Sequence, residues 1–249
     1  MSAGRVVLLH GLAGSVPMWA QVADLLHDER AVTVPQLPWH AAADPAWAWD
    51  AQPWRALDGL YGPDDVVVAH SFASALLLTG LGTGALPTPA GVVLLSPFYR
   101  PDARDFRWAT LAHYLTDFHL LLAAGLRAAS QRDIADDLLA DMAVAVRERV
   151  GAYGWTRFFE AYLATPSVPV ARLGLPAAVV HGGDDDVAPP DDARELAARL
   201  PDADLVEIPD AGHFPMLVAP HAVAAAVLAL DRRARDARHR PTRPQEVLA

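Results

Sequence analysis

Six short runs of apolar, strand-forming residues recur along the chain, at 6–9, 31–34, 66–69, 92–95, 177–180 and 205–208. Such runs have no polar side, so both faces of the sheet they form must be covered, and the covering elements must lie between them in sequence. Segments 18–26, 74–81, 191–200 and 220–231 supply the cover, each with an apolar stripe at helical spacing. Asp191 and Asp192 open the third of these with negative charge that suits a helix N-terminus. Strand and helix in alternation predict an α/β class, with a mostly parallel central sheet flanked by helices. With 249 residues, 53% apolar and 20% charged, the chain can fill one large core. It shows no internal repeat.

The alternation breaks once. About eighty residues separate the strand before Ser96 from the one beginning at Ala177, too many for a structureless loop in a compact domain. The stretch has helical candidates at 105–127, 131–150 and 155–164, and Pro166, Pro169 and Pro176 mark its return. Residues 1–97 and 176–233 are therefore expected to form the core domain, and 98–175 an inserted helical cap. Residues 234–249, rich in Arg and Pro with no hydrophobic period, are expected to be a flexible tail.

What the chain lacks narrows its chemistry. It has no cysteine, which removes disulfides, thiolate nucleophiles and cysteine-based metal sites. All 20 of its basic residues are Arg, which removes a Walker-type phosphate loop and any Schiff-base lysine. A net charge of −10 argues against a nucleic-acid partner. The apolar run at 6–9 is too short for a signal peptide or a membrane span, so cytoplasmic residence is expected.

Chemistry enters at Ala69-His70-Ser71-Phe72-Ala73, which follows a buried strand and precedes a helix. A sharp strand-to-helix turn in that context presents a serine hydroxyl, and it needs small residues two before and two after the serine. Serine is a poor nucleophile at neutral pH and needs a base, oriented in turn by a carboxylate. Both follow in order. His181-Gly182-Gly183-Asp184-Asp185-Asp186-Val187-Ala188-Pro189 ends one strand, and Asp210-Ala211-Gly212-His213-Phe214-Pro215 ends the last. Active-site loops of an open parallel sheet gather at such strand ends.

With these motifs the chain resembles the α/β-hydrolase fold superfamily, in the subgroup with a helical lid that includes esterases, lactonases and carbon–carbon bond hydrolases. The likeness runs almost to Asp231. His10-Gly11-Leu12-Ala13-Gly14 resembles the family's oxyanion loop, and Pro35-Gln36-Leu37-Pro38-Trp39-His40 stands where the family often has Asp-Leu-Pro-Gly-His-Gly. The sequence departs from the family in Ala69 and Ala73 for glycines, in Gln36 and Trp39, and in Val218 where a Glu is common. Antiparallel strands that often precede the first central strand are not expected here. The resemblance implies Ser71 as nucleophile, His213 as base and an aspartate as orienter, with backbone N–H groups of Leu12 and Phe72 as the oxyanion hole.

Among the aspartates, Asp185 fits the spacing from Gly182 to Pro189, which leaves Asp184 and Asp186 as turn or solvated carboxylates. Asp102, after the strand at 92–95, is the alternative. His10 is expected to bond within its loop, His70 to shape the turn, and His113 and His119 to lie in the cap. Trp39, Trp47, Trp49 and Trp54 are expected to pack a long loop on the core, or else to line an apolar pocket. Arg100, Arg104 and Arg107 open the cap as a solvated face or as a recognition site for a carboxylate.

The implied activity is hydrolysis of a carboxylic ester, lactone or thioester through an acyl-enzyme. No metal or organic cofactor is required, and the partner is a small-molecule acyl substrate. Acyl transfer, cleavage of a carbon–carbon bond, and a non-catalytic ligand-binding role fit the same fold.

Overall fold

The computed structural model describes residues 4–40, 42–130 and 134–239. Its six strands are β1 (Val6–Leu9), β2 (Val32–Thr33), β3 (Val66–His70), β4 (Gly91–Leu95), β5 (Ala177–Gly182) and β6 (Ala203–Ile208). They form one parallel sheet in the order β2-β1-β3-β4-β5-β6. The helices are α1 (Ala20–His27), α2 (Phe72–Gly82), α3 (Trp108–Thr116), α4 (Phe118–Ala129), α5 (Asp136–Leu163), α6 (Pro190–Arg199), α7 (Pro215–Val218) and α8 (Pro220–His239).

The unbroken apolar runs are explained by the side chains they send to two separate cores. Val7, Leu9, Val67, Ala69, Leu94 and Val179 pack on one face with α2, α6 and residues of α3 to α5. Val6, Leu8, Val66, Val68, Val93 and Val180 pack on the other with α1 and α8. Successive strand residues point to opposite faces, so a strand covered on both sides is apolar along its length, with polar residues only toward the carboxyl ends, as at His70 and His181. β6 shows the converse. At the sheet edge its residues are exposed or half-buried until Ile208.

Chain direction across the sheet reverses between β1 and β3, neighbours whose connections leave to opposite sides. The loops at the carboxyl ends of such a pair diverge and leave a crevice. The residues after β1 and β3 therefore face one another.

Several expected boundaries move. The segment expected as a helix over 105–127 is two helices that meet at Asp117. The two helices expected further on are the two parts of α5, which meet at a kink at Gly151, where φ is 67°. Positions from 234 on, expected as tail, are helical as far as His239, because Ala234 is buried in the second core and Arg233 pairs with Asp204. The rest of that expected tail lies outside the described residues. Trp39 is buried and Trp47 and Trp54 pack on the first core, whereas Trp49 is 70% exposed. No helix among the described residues is long and apolar enough to cross a membrane.

Candidate active site

β3 delivers Ser71 to the carboxyl edge of the sheet with φ 55° and ψ −120°, a conformation that favours glycine. The strain sits on the serine itself. Ala69 and Ala73 are fully buried, and neither is among the residues of positive φ, so alanine is accommodated at both places. Backbone bonds fix the turn. The Ser71 N–H donates to the Leu95 carbonyl at 2.9 Å, and the Ser74 N–H donates to the Ser71 carbonyl at 2.9 Å.

Asp185 and His213 arrive from the ends of neighbouring strands. At the end of β5, a Cβ on Gly182 would lie 2.1 Å from the Ala211 carbonyl oxygen, so only glycine lets the two loops approach so closely. The Asp184 N–H donates to that same carbonyl at 2.9 Å and ties them together. Out of this junction the Asp185 carboxylate meets His213, whose Nδ1–H donates to Oδ2 at 2.9 Å. With Nδ1 carrying the proton, Nε2 accepts from the Ser71 hydroxyl at 2.9 Å. Asp184 and Asp186 are exposed, and Asp102 pairs with Arg104. Of the four candidate carboxylates, Asp185 is the one that the structure brings to His213.

Burial alone would raise the Asp185 carboxyl. The neighbouring His213 and two backbone N–H donors, Val187 and Ala188 at 2.9 Å each, outweigh it and hold the group below the ordinary carboxylate range. The carboxylate is therefore anionic and acceptor-only, as an orienter of imidazole must be.

Two further histidines shape the surroundings as neutral rings. Burial pushes His10 down to about 4. Its Nδ1–H donates to the Gly11 carbonyl at 2.9 Å, while Nε2 accepts from the Leu37 N–H at 3.1 Å and the Gln36 amide at 3.2 Å. Burial and the nearby His213 push His70 down to about 3, and its Nε2–H donates to the His213 carbonyl at 2.9 Å. Trp39 completes the brace, because its indole N–H donates to the His10 carbonyl at 3.1 Å and its own carbonyl accepts from Ala13 at 2.9 Å. Gln36 and Trp39, departures from the family's usual run, thus both anchor the loop after β1.

Leu12 lies in that loop and Phe72 is the first residue of α2. Helix-initial N–H groups have no intrahelical acceptor, and among the described residues no backbone acceptor takes the N–H of Leu12 or Phe72. The loop lies against the turn: a Cβ on Gly11 would sit 2.9 Å from the Ser71 Cβ. Ser71 and His213 are only 6% and 5% exposed, beneath aromatic side chains that include Phe98, whose ring lies 5.6 Å from His213. His113 pairs with Asp117 on exposed helix surface, and the His119 ring bonds the Thr116 carbonyl, also at the surface.

Sequence reading missed one cluster. Asp192, expected only as a helix-opening charge, is buried and accepts from the Tyr162 hydroxyl at 2.6 Å and the Tyr99 N–H at 3.3 Å. Arg100, expected in the opening face of the insertion, donates to the Tyr162 oxygen at 2.7 Å and stands 3.7 Å from Asp192. Nearby, the Tyr114 hydroxyl donates at 2.7 Å to the carbonyl of Val187, in the loop that holds Asp185. These contacts fasten α3 and α5 to the core. No group of three potential metal ligands occurs among the described residues.

The family model described as the alpha/beta hydrolase family matches residues 6–226. A pimeloyl-[acyl-carrier protein] methyl ester esterase of Aromatoleum aromaticum is 28% identical, over 91% of this chain and 98% of its own length. Among solved structures, a thermophilic esterase from Thermogutta terrifontis superposes with a TM-score of 0.57 at 23% identity, covering 94% of this chain and 91% of that one. A hydrolase from Oleispira antarctica gives a TM-score of 0.68 at 12% identity, covering 93% and 92%. The sheet order, the turn at Ser71 and the match over 6–226 lead to one conclusion: the chain belongs to the alpha/beta hydrolase family.

Proposed function

We propose that this protein is a cofactor-independent serine hydrolase that cleaves a carboxylic ester, lactone or thioester through an acyl-enzyme. The observation that carries the reading is the unbroken hydrogen-bond chain from Ser71 Oγ through His213 to Asp185, with both links at 2.9 Å. The ester chemistry named for the 28% identical relative supports it.

In this reading the Ser71 oxygen attacks the substrate carbonyl carbon as His213 Nε2 takes the hydroxyl proton. Asp185, anionic and fixed by two backbone donors, keeps the imidazole oriented and stabilises the imidazolium. The oxyanion is held by the N–H groups of Leu12 and Phe72, and loss of one such donor typically costs about 3–4 kcal/mol of barrier. His213 then gives its proton to the leaving oxygen or sulfur, which departs as alcohol or thiol. Water, deprotonated by His213, attacks the acyl-serine, and the carboxylic acid leaves with Ser71 restored. The helices α3 to α5 act as a cap that excludes bulk water.

A fluorophosphonate probe tests the nucleophile. Labelling of the wild-type protein and none of Ser71→Ala is expected; equal labelling of both, or of neither, rejects the reading. Graded p-nitrophenyl esters beside a lactone panel then identify the acyl bond.

A further inference from the structure

Between the loop after β1 and α4 lies a cavity of about 140 Å³. Leu12 and Met18 line it together with Leu122 and Leu126 of α4 and Val146 of α5, and the Phe214 ring forms a further wall. No charged or imidazole side chain lines it, so an ionic group entering would lose hydration with no counter-charge. Its walls adjoin the reacting groups, since Leu12 follows Gly11, which lies against Ser71, and the Phe214 ring stands edge-on to His213 at 5.2 Å. Across α4 a second cavity, of about 220 Å³, is lined by His113, Asp117 and Asp186 among others. α4 thus separates an uncharged compartment beside Leu12 from a charged one.

We propose that the uncharged cavity receives an apolar substituent of the substrate ester, and that Gly125 against Phe214 sets its size limit. This rests on the serine hydrolase reading. A cavity of roughly 150 Å³ lined by apolar side chains takes benzene, so the substituent is a ring of that size or a chain of about five carbons. Gly125 is the position where α4 comes down on the closing ring. A Cβ there would stand 2.7 Å from Phe214 Cζ and 3.0 Å from Cε2, closer than side chains pack. A methyl group at 125 therefore displaces the ring or lifts α4, and in both cases changes the compartment. Truncation of Leu126 acts in the opposite sense and enlarges it. The substituent belongs to either the acyl or the alcohol part of the ester, and two substrate series tell them apart.

The experiment measures kcat/KM for p-nitrophenyl esters from acetate to dodecanoate, and separately for acetates of straight-chain alcohols of the same lengths. In one series kcat/KM is expected to rise about fourfold per buried methylene to about five carbons and then fall. Leu126→Ala is expected to move that peak to chains longer by about two carbons, and Gly125→Ala to shift the peak because the Phe214 ring or α4 must give way. Val146→Ala gives a second enlargement should Gly125→Ala fail to fold by circular dichroism. Active, fluorophosphonate-labelled protein whose profile rises past about eight carbons, or whose peak neither enlarging variant moves, overturns the size limit alone. Absence of both labelling and ester turnover overturns the underlying hydrolase reading, and this inference with it.

Discussion

Asp185, in the loop between β5 and α6, and Asp192, in the first turn of α6, are both buried, yet their environments drive them apart. Burial disfavours the charge on each. At Asp185 the adjacent His213 and two N–H donors at 2.9 Å outweigh burial, and the carboxyl is held low. At Asp192 a single phenol at 2.6 Å, an N–H at 3.3 Å and a guanidinium 3.7 Å away do not, and the carboxyl is pushed up to about 6. The first sits in loops that backbone hydrogen bonds and a close glycine approach hold to the sheet. The second joins inserted helices to the core through a few side chains. Asp185 is thus held by backbone contacts at the sheet, while the inserted helices hang on side-chain contacts sensitive to pH and to single substitutions.

The strongest way to break this contrast is to neutralise each carboxylate in turn. Asp185→Asn is expected to lower kcat for a good ester by about 10⁴, whereas Asp192→Asn should stay within about tenfold; equal losses would erase the distinction. Tyr162→Phe, which removes the shortest donor to Asp192, should cost about 1–3 kcal/mol of stability in urea unfolding and drive the Asp192 carboxyl higher still.

Titration sharpens the contrast because the two signs are opposite. Asp192 has a folded value of about 6 against an ordinary 3.8, so its contribution to stability is fully present below 3.8 and is lost as pH rises through 6. Asp185 is lowered, so its contribution is present above the ordinary carboxylate value and is lost as pH falls through its folded value. Thermal melts should therefore show Asp192→Asn gaining on wild type from about pH 4 to about pH 6 and no further. A gap independent of pH would refute the assignment. Smaller again is Tyr114→Phe. It cuts the link from α3 to the Val187 carbonyl, and with it an expected three- to tenfold, about 1 kcal/mol, in kcat.

Much of the site was legible because its parts obey short-range rules. Ser71 follows a buried strand, Asp185 lies at a set spacing between Gly182 and Pro189, and His213 follows the last strand. Each can be read within about ten residues of its own motif. The Asp192 cluster could not be, since its partners Tyr162 and Tyr99 are 30 and 93 positions away and no local pattern marks them. Local reading also favoured the common meaning of an acidic helix start, which Asp191 satisfies. The end of α8 escaped for the reverse reason. Its arginines look like a solvated tail until Asp204 and Asp64, distant in sequence, are seen beside Arg233 and Arg238. Trp39 packs its loop on the core, one of the two expected roles, and its two hydrogen bonds to the loop after β1 depend on a fold that periodicity does not encode.

The torsion at Ser71 carries a consequence for how this chain can change over generations. At φ 55° and ψ −120° glycine is at ease and every other residue is strained. Ser71→Gly should accordingly be more stable than Ser71→Ala by about 1 kcal/mol in thermal or urea unfolding. One codon thus sets durability against reactivity. A lineage with no use for the hydroxyl would gain stability by losing it to glycine.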